Sequence, residues 1–115
     1  MTCQYVSHAK EMGLPLPEIP TVFLKPETSL ASGWPTPFIL PHMTQRTGTG
    51  DFEAEMAIVI GKCAKDVPVD KALDYVLGFT AANDISSRAL QNAQSQWCFS
   101  KGFDASCPIG KLHSP

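Results

Sequence analysis

No apolar run in this sequence approaches the length needed to cross a bilayer, so no membrane helix is expected. The first residues, Met1 to Ser7, lack a charged stretch followed by an apolar one, so no signal peptide is expected and a cytoplasmic location is. Neither sign of charge dominates. Nine Lys and Arg stand against eleven Asp and Glu, a net charge of −2, which argues against a nucleic-acid partner. The four cysteines, Cys3, Cys63, Cys98 and Cys107, form no Cys-x-x-Cys pair and have no histidine at zinc spacing. They read as reduced thiols, mostly packing groups. No Gly-x-Ser-x-Gly elbow is present, so serine-nucleophile chemistry has no support. No internal repeat is visible.

What is present is enough apolar character for one domain. Of the 115 residues, 43% are hydrophobic, too many for a disordered chain. A chain of this length buries about two-thirds of its extended surface on folding. The stretch that stands out is Asp51-Phe52-Glu53-Ala54-Glu55-Met56-Ala57-Ile58-Val59-Ile60-Gly61. It predicts a strand covered on both sides. Side chains alternate along a strand, so Glu53 and Glu55 share a face, with Cα atoms about 7 Å apart, while Phe52, Ala54, Met56, Ile58 and Ile60 line the other. Carboxylate oxygens converging to about 4 Å would repel by roughly 4 kcal/mol at an effective dielectric of 20. Solvent, a basic partner or a cation would relieve that. A solvated strand end is the default for a generic Glu-x-Glu; a metal site requires a third acidic residue from elsewhere.

The rest of the chain supplies one. A helix is expected over Tyr5 to Met12, stopped by Gly13, then extended chain through Pro15, Pro17 and Pro20. A short strand is expected at Thr21 to Lys25, another at Phe38 to Leu40 within an irregular connection, and a turn at Thr47 to Gly50. After the acidic strand come a turn, a short amphipathic helix over Val69 to Val76, and a strand over Leu77 to Asn83. That order returns Asp84 to the region of Glu53 and Glu55. Three carboxylates suit a hard cation, Mg²⁺, Mn²⁺ or Ca²⁺, rather than Zn²⁺. Arg88 and Gln91, three apart, face the same way on a helical turn. Lys101 stands either as a point charge for an enolate or as the ion-pair partner of Asp104 or another acidic neighbour. Trp97, Phe99 and Phe103 read as core. His8 and Glu11 share a helix face. They form either a carboxylate-held base or an exposed pair without a chemical role, and the exposed pair is the default.

Six short motifs in order carry a resemblance. They are Tyr5-x-x-His8-Ala9-x-Glu11, Phe23-Leu24-Lys25-Pro26, Asp51-Phe52-Glu53-x-Glu55, Val59-Ile60-Gly61-Lys62, Ala82-Asn83-Asp84-Ile85-Ser86-x-Arg88 and Lys101-x-Phe103-Asp104. Together they resemble the fumarylacetoacetate hydrolase family, in its acylpyruvate hydrolase and oxaloacetate decarboxylase branch, over almost the whole chain. The resemblance implies an α+β, mainly β fold, a mixed β-sandwich roll, usually dimeric. It implies Mg²⁺ or Mn²⁺ on Glu53, Glu55 and Asp84, a catalytic Lys101, and substrate contacts at Arg88 and Gln91. It also implies a water-activating His8–Glu11 dyad on a lid segment spanning residues 1–14. The substrate would be a small 2-oxo acid, and the reaction C–C bond hydrolysis in a 2,4-dioxo acid of the acylpyruvate or fumarylpyruvate type. Decarboxylation or tautomerisation of oxaloacetate is the alternative on the same residues.

There are departures. Gln4 stands where the family usually has Asn, and Lys111 follows Gly110 where Pro is common. Family domains are longer and continue into a Gly-Thr-Pro-x-Gly motif that this sequence lacks. Residues 1–115 are thus expected to form a partial catalytic domain, the N-terminal half of the usual one. A non-catalytic truncated remnant is the third reading.

Overall fold

The acidic stretch does become the strand that orders the sheet. The computed structural model describes residues 6–11, 13, 15–46 and 50–114, with the side chains of Ser7, His8 and Glu11 outside that description. Strand β3 (Ala54–Ile60) pairs antiparallel with β4 (Val76–Asn83), placing Glu55 opposite Ala82 and Ile58 opposite Phe79. Two further short strands, β1 (Leu30–Ser32) and β6 (Cys107–Ile109), run parallel to each other. β6 lies antiparallel to β4, giving a four-stranded mixed sheet in the order β1-β6-β4-β3. A separate ribbon joins β2 (Gly50–Asp51) to β5 (Ser86–Ser87). Among the described residues there are four short α-helices, α1 (Val6–Glu11), α2 (His42–Gln45), α3 (Arg88–Ala93) and α4 (Cys98–Lys101), and two 3₁₀ helices, Glu27–Ser29 and Val69–Tyr75.

The ladder of β3 does not begin at Asp51. It breaks at Phe52 and Glu53, where the Asn83 side-chain carbonyl accepts from the Glu53 N–H at 3.0 Å and the Asp84 N–H donates to the Glu53 carbonyl at 2.9 Å. An amide side chain replaces a backbone acceptor here, and Asp84 is fixed directly across from Glu53. Close backbone approach fixes the far end of the sheet. The Phe79 and His113 backbones exchange two hydrogen bonds of 2.8 Å. A Cβ on Gly78 would come within 2.3 Å of the His113 carbonyl oxygen, so that position tolerates only glycine.

Several expectations need correction. The stretch from Thr21 to Lys25 is extended but pairs with no described strand, as does Phe38 to Leu40. Pro20 and Pro26 bracket the first and withdraw donors at its edges; side chains anchor it instead. Residues Val69–Tyr75 form a 3₁₀ helix, and Val69 and Leu73 are exposed rather than packed. Phe99 is nearly half exposed, and Trp97 and Phe103 are only half-buried, so these rings are not core. Cys63 and Cys98 are exposed thiols rather than packing groups. The expected turn at Thr47 to Gly50 lies largely outside the described residues.

The acidic strand alternates as predicted, but only one side is covered. Glu53, Glu55, Ala57 and Val59 are half-buried, whereas Phe52 is 73% exposed and Met56 66%. Ile58 and Ile60 are exposed on that same side. The radius of gyration, 15.6 Å, exceeds the roughly 13 Å of a compact chain this long. Among the described residues the most buried side chains are mainly polar, with Ser86, Ser87, Ser100, Lys101 and Ser106 almost inaccessible. The best-enclosed part of the molecule is therefore a charged cluster, not an apolar core. No helix among the described residues is long and apolar enough to cross a membrane.

Candidate active site

Three separated segments bring charge to this cluster. The strand break delivers Asp51 and Glu53, the end of β4 delivers Asp84, and α4 delivers Lys101. The Lys101 ammonium donates to Glu53 Oε2 at 2.6 Å, Asp84 Oδ2 at 2.8 Å and Ser86 Oγ at 2.6 Å. Its side chain is 2% exposed. The ring centroids of Phe23 and Trp97 lie 5.3 and 5.9 Å from the same nitrogen, and the two rings meet edge to face. Aromatic faces of this kind attract a desolvated ammonium. Of the two alternatives for Lys101, the structure shows an ion pair with Glu53 and Asp84; Asp104 is exposed.

Two more cations enclose the acidic pair. Lys25 donates to Asp84 Oδ1 at 2.5 Å and to the Ser106 carbonyl at 2.9 Å. That carbonyl also accepts from the Ile85 N–H, and the preceding Ala105 takes a left-handed φ of 58°, a conformation few non-glycine residues adopt. Arg88 spans the other side. Its Nε donates to Asp51 Oδ2 at 2.9 Å, and its Nη1 donates to Glu53 Oε1 and, at 3.0 Å, to Gln91 Oε1. Arg88 and Gln91 thus face the same way, as their spacing predicts. Burial alone would lower the Arg88 pKa. The hydrogen bond to Asp51 and the charges of Glu53 and Asp51 outweigh it and hold the value above the ordinary one, so the guanidinium stays charged.

Asp51, Glu53 and Asp84 are matched one for one by Lys25, Arg88 and Lys101. All four oxygens of the Glu53–Asp84 pair accept from a cation. Glu55 lies two residues along β3 on the same side and adds negative charge. Among the described residues no three acidic, histidine or cysteine side chains converge at metal-ligand spacing. The donors nonetheless fit a hard cation by type: two half-buried carboxylates and a hydroxyl already surround one positive centre with oxygen alone. A cleft of about 420 Å³ lined by Thr21, Gln91, Asn92, Gln94 and Trp97 opens beside the cluster, large enough for a small organic acid. His8 and Glu11 fall in α1, with their side chains outside the described residues.

Lys25, Asp51 and Ser86 join the cluster although residue type alone assigns them no role in it. Period two flags Asp51, two residues before Glu53 on one side; Lys25 and Ser86 stand in the motifs that carry the resemblance, but their partners are too far along the chain to leave a local mark.

The profile of the family described as fumarylacetoacetate (FAA) hydrolase C-terminal matches residues 1–115. The chain belongs to this family. It is 53% identical over 102 residues to the caffeoylpyruvate hydrolase of Neonothopanus nambi, covering 86% of this chain and 35% of that protein. Identity to the mitochondrial oxaloacetate tautomerase FAHD2A of Homo sapiens is 38% over 108 residues, 92% of this chain and 33% of the other. Among solved structures, the 5-carboxymethyl-2-hydroxymuconate delta-isomerase from Mycobacterium smegmatis superposes with a TM-score of 0.79 at 40% identity. That match covers 96% of this chain and 43% of that one. The α+β, mainly β architecture is thus that of part of this family's domain. The chain spans less than half the length of the curated relatives it matches.

Proposed function

We propose that these residues belong to a divalent-metal-dependent hydrolase that cleaves a C–C bond in a 2,4-dioxo acid of the acylpyruvate type. The observation that carries the reading is the convergence of Glu53 and Asp84 on one cationic centre, with Arg88 and Gln91 alongside. Glu53, Glu55 and Asp84 would hold Mg²⁺ or Mn²⁺, with Ca²⁺ as a third candidate. A bound ion of this kind polarises a substrate oxygen as a Lewis acid. Arg88, whose charge is secure, and Gln91 bind and orient the substrate carboxylate. The Lys101 ammonium stabilises negative charge developing on the substrate as the bond breaks. His8, held by Glu11 on a lid over residues 1–14, takes the proton from the attacking water.

Similarity to the caffeoylpyruvate hydrolase supports hydrolysis. Similarity to the oxaloacetate tautomerase supports a second reading, enolisation of oxaloacetate by the same residues without a hydrolytic water. We assign residues 1–115 to the catalytic domain, with a homodimer as the working assembly.

The test is turnover of acylpyruvates and oxaloacetate with added Mg²⁺, in wild type and Glu55→Ala. Activity should fall by more than about a hundredfold in the variant, because even outer partners of metal ligands are worth 10–100-fold. Equal rates in both proteins, or no turnover in either, would sink the proposal; the second result would leave a non-catalytic remnant.

A further inference from the structure

We infer that Lys101 is the built-in counter-cation of the Glu53–Asp84 pair, and that a divalent ion must displace its ammonium to bind. The inference rests on the metal-site reading above and concerns what sets the affinity of that site. An ammonium has three N–H donors, and Lys101 spends all three on Glu53 Oε2, Asp84 Oδ2 and Ser86 Oγ, between 2.6 and 2.8 Å. Its donors are thus all spent on oxygen, with the Phe23 and Trp97 rings near the same nitrogen. It is also the one described cation bridging both carboxylates, since Lys25 reaches only Asp84 and Arg88, of these two, only Glu53.

A divalent ion shared by those carboxylates needs oxygen at about 2.0–2.6 Å. That places it in the space the nitrogen fills, beside a like charge. Lys25 and Arg88 sit on the remaining oxygens, Asp84 Oδ1 and Glu53 Oε1. They could stay while Lys101 leaves. Displacement has a second effect: an ammonium tied up by three acceptors becomes available to an anionic substrate. Ion binding and the arming of Lys101 are then one event.

A rival account makes Lys101 a clamp that aims the carboxylates at the ion, and it predicts the opposite sign. Titrating Mn²⁺ into the 115-residue chain, with free ion read by electron paramagnetic resonance, separates the two without reference to activity. Lys101→Met, which keeps the stem and removes the charge, should tighten Mn²⁺ binding by about tenfold or more, a 1.4 kcal/mol change. Ser86→Ala removes one of the three acceptors and leaves both carboxylates, so it should tighten binding to a smaller degree. It decides the matter if Lys101→Met does not fold by circular dichroism. Glu53→Gln should weaken binding in every background. Unchanged or weaker binding in Lys101→Met and Ser86→Ala, with Glu53→Gln still weakening it, overturns the inference and leaves the metal site standing. No Mn²⁺ binding by any of the proteins overturns both.

Discussion

Replacing Lys25 by Met removes one cation from the charged cluster and keeps a side chain of similar reach. The lost contacts are the 2.5 Å bond to Asp84 and the 2.9 Å bond to the Ser106 carbonyl, between side chains each 14% exposed. Two magnitudes bracket the effect. A hydrogen bond to a charged group is worth about 1.5–3 kcal/mol net. Leaving a buried charge wholly unpaired costs about 3–5 kcal/mol. The larger figure does not apply, because Asp84 keeps Lys101 at 2.8 Å. Lys25→Met should therefore cost about 2 kcal/mol, read from urea unfolding followed by circular dichroism. A double-mutant cycle with Asp84→Asn should return a coupling of about 1.5 kcal/mol or more. A loss below about 0.5 kcal/mol, the level of an ordinary surface substitution, would show that Lys25 does not anchor Asp84. Coupling near zero would show the same.

Arg88→Lys should lose about 1–2 kcal/mol in the same unfolding assay, because one ammonium cannot serve Asp51, Glu53 and Gln91 from two different nitrogens. Full retention of stability would mean the fork geometry is irrelevant. Gly78→Ala should destabilise by about 1–3 kcal/mol, since its Cβ meets the His113 carbonyl and backbone has little freedom to yield. An unchanged unfolding midpoint would show that the segment ending at His113 is not held against β4.

The acidic strand, its return strand and the meeting of Glu53 with Asp84 were legible because period-two alternation and turn chemistry are local. So was the shared direction of Arg88 and Gln91. Lys25 was not, because its partners Asp84 and Ser106 lie 59 and 81 residues away and nothing in Phe-Leu-Lys-Pro points to them. The same distance hid the parallel pairing of β1 with β6, each only three residues long. Aromatic residues misled differently. Composition placed Trp97, Phe99 and Phe103 in a core, but the best-enclosed space is polar, and Trp97 instead flanks the Lys101 ammonium.

The insertion of β6 between β1 and β4 also orders events in time. During synthesis both strands of the β3–β4 ladder, with Glu53 and Asp84, are out while Lys101, 17 residues further on, is still to come. Lys25 and Arg88 are the cations at hand in that interval. The bond from Lys25 to Ser106 closes a loop of 81 residues, and it must wait for the segment that carries β6. Loop-closure entropy rises slowly with length, so the delay is set by order of emergence and non-local topology more than by distance. Lys101, 17 residues beyond Asp84, is thus the last of the three cations to leave the ribosome. Until it arrives, Lys25 and Arg88 alone are there to offset Asp84 and Glu53.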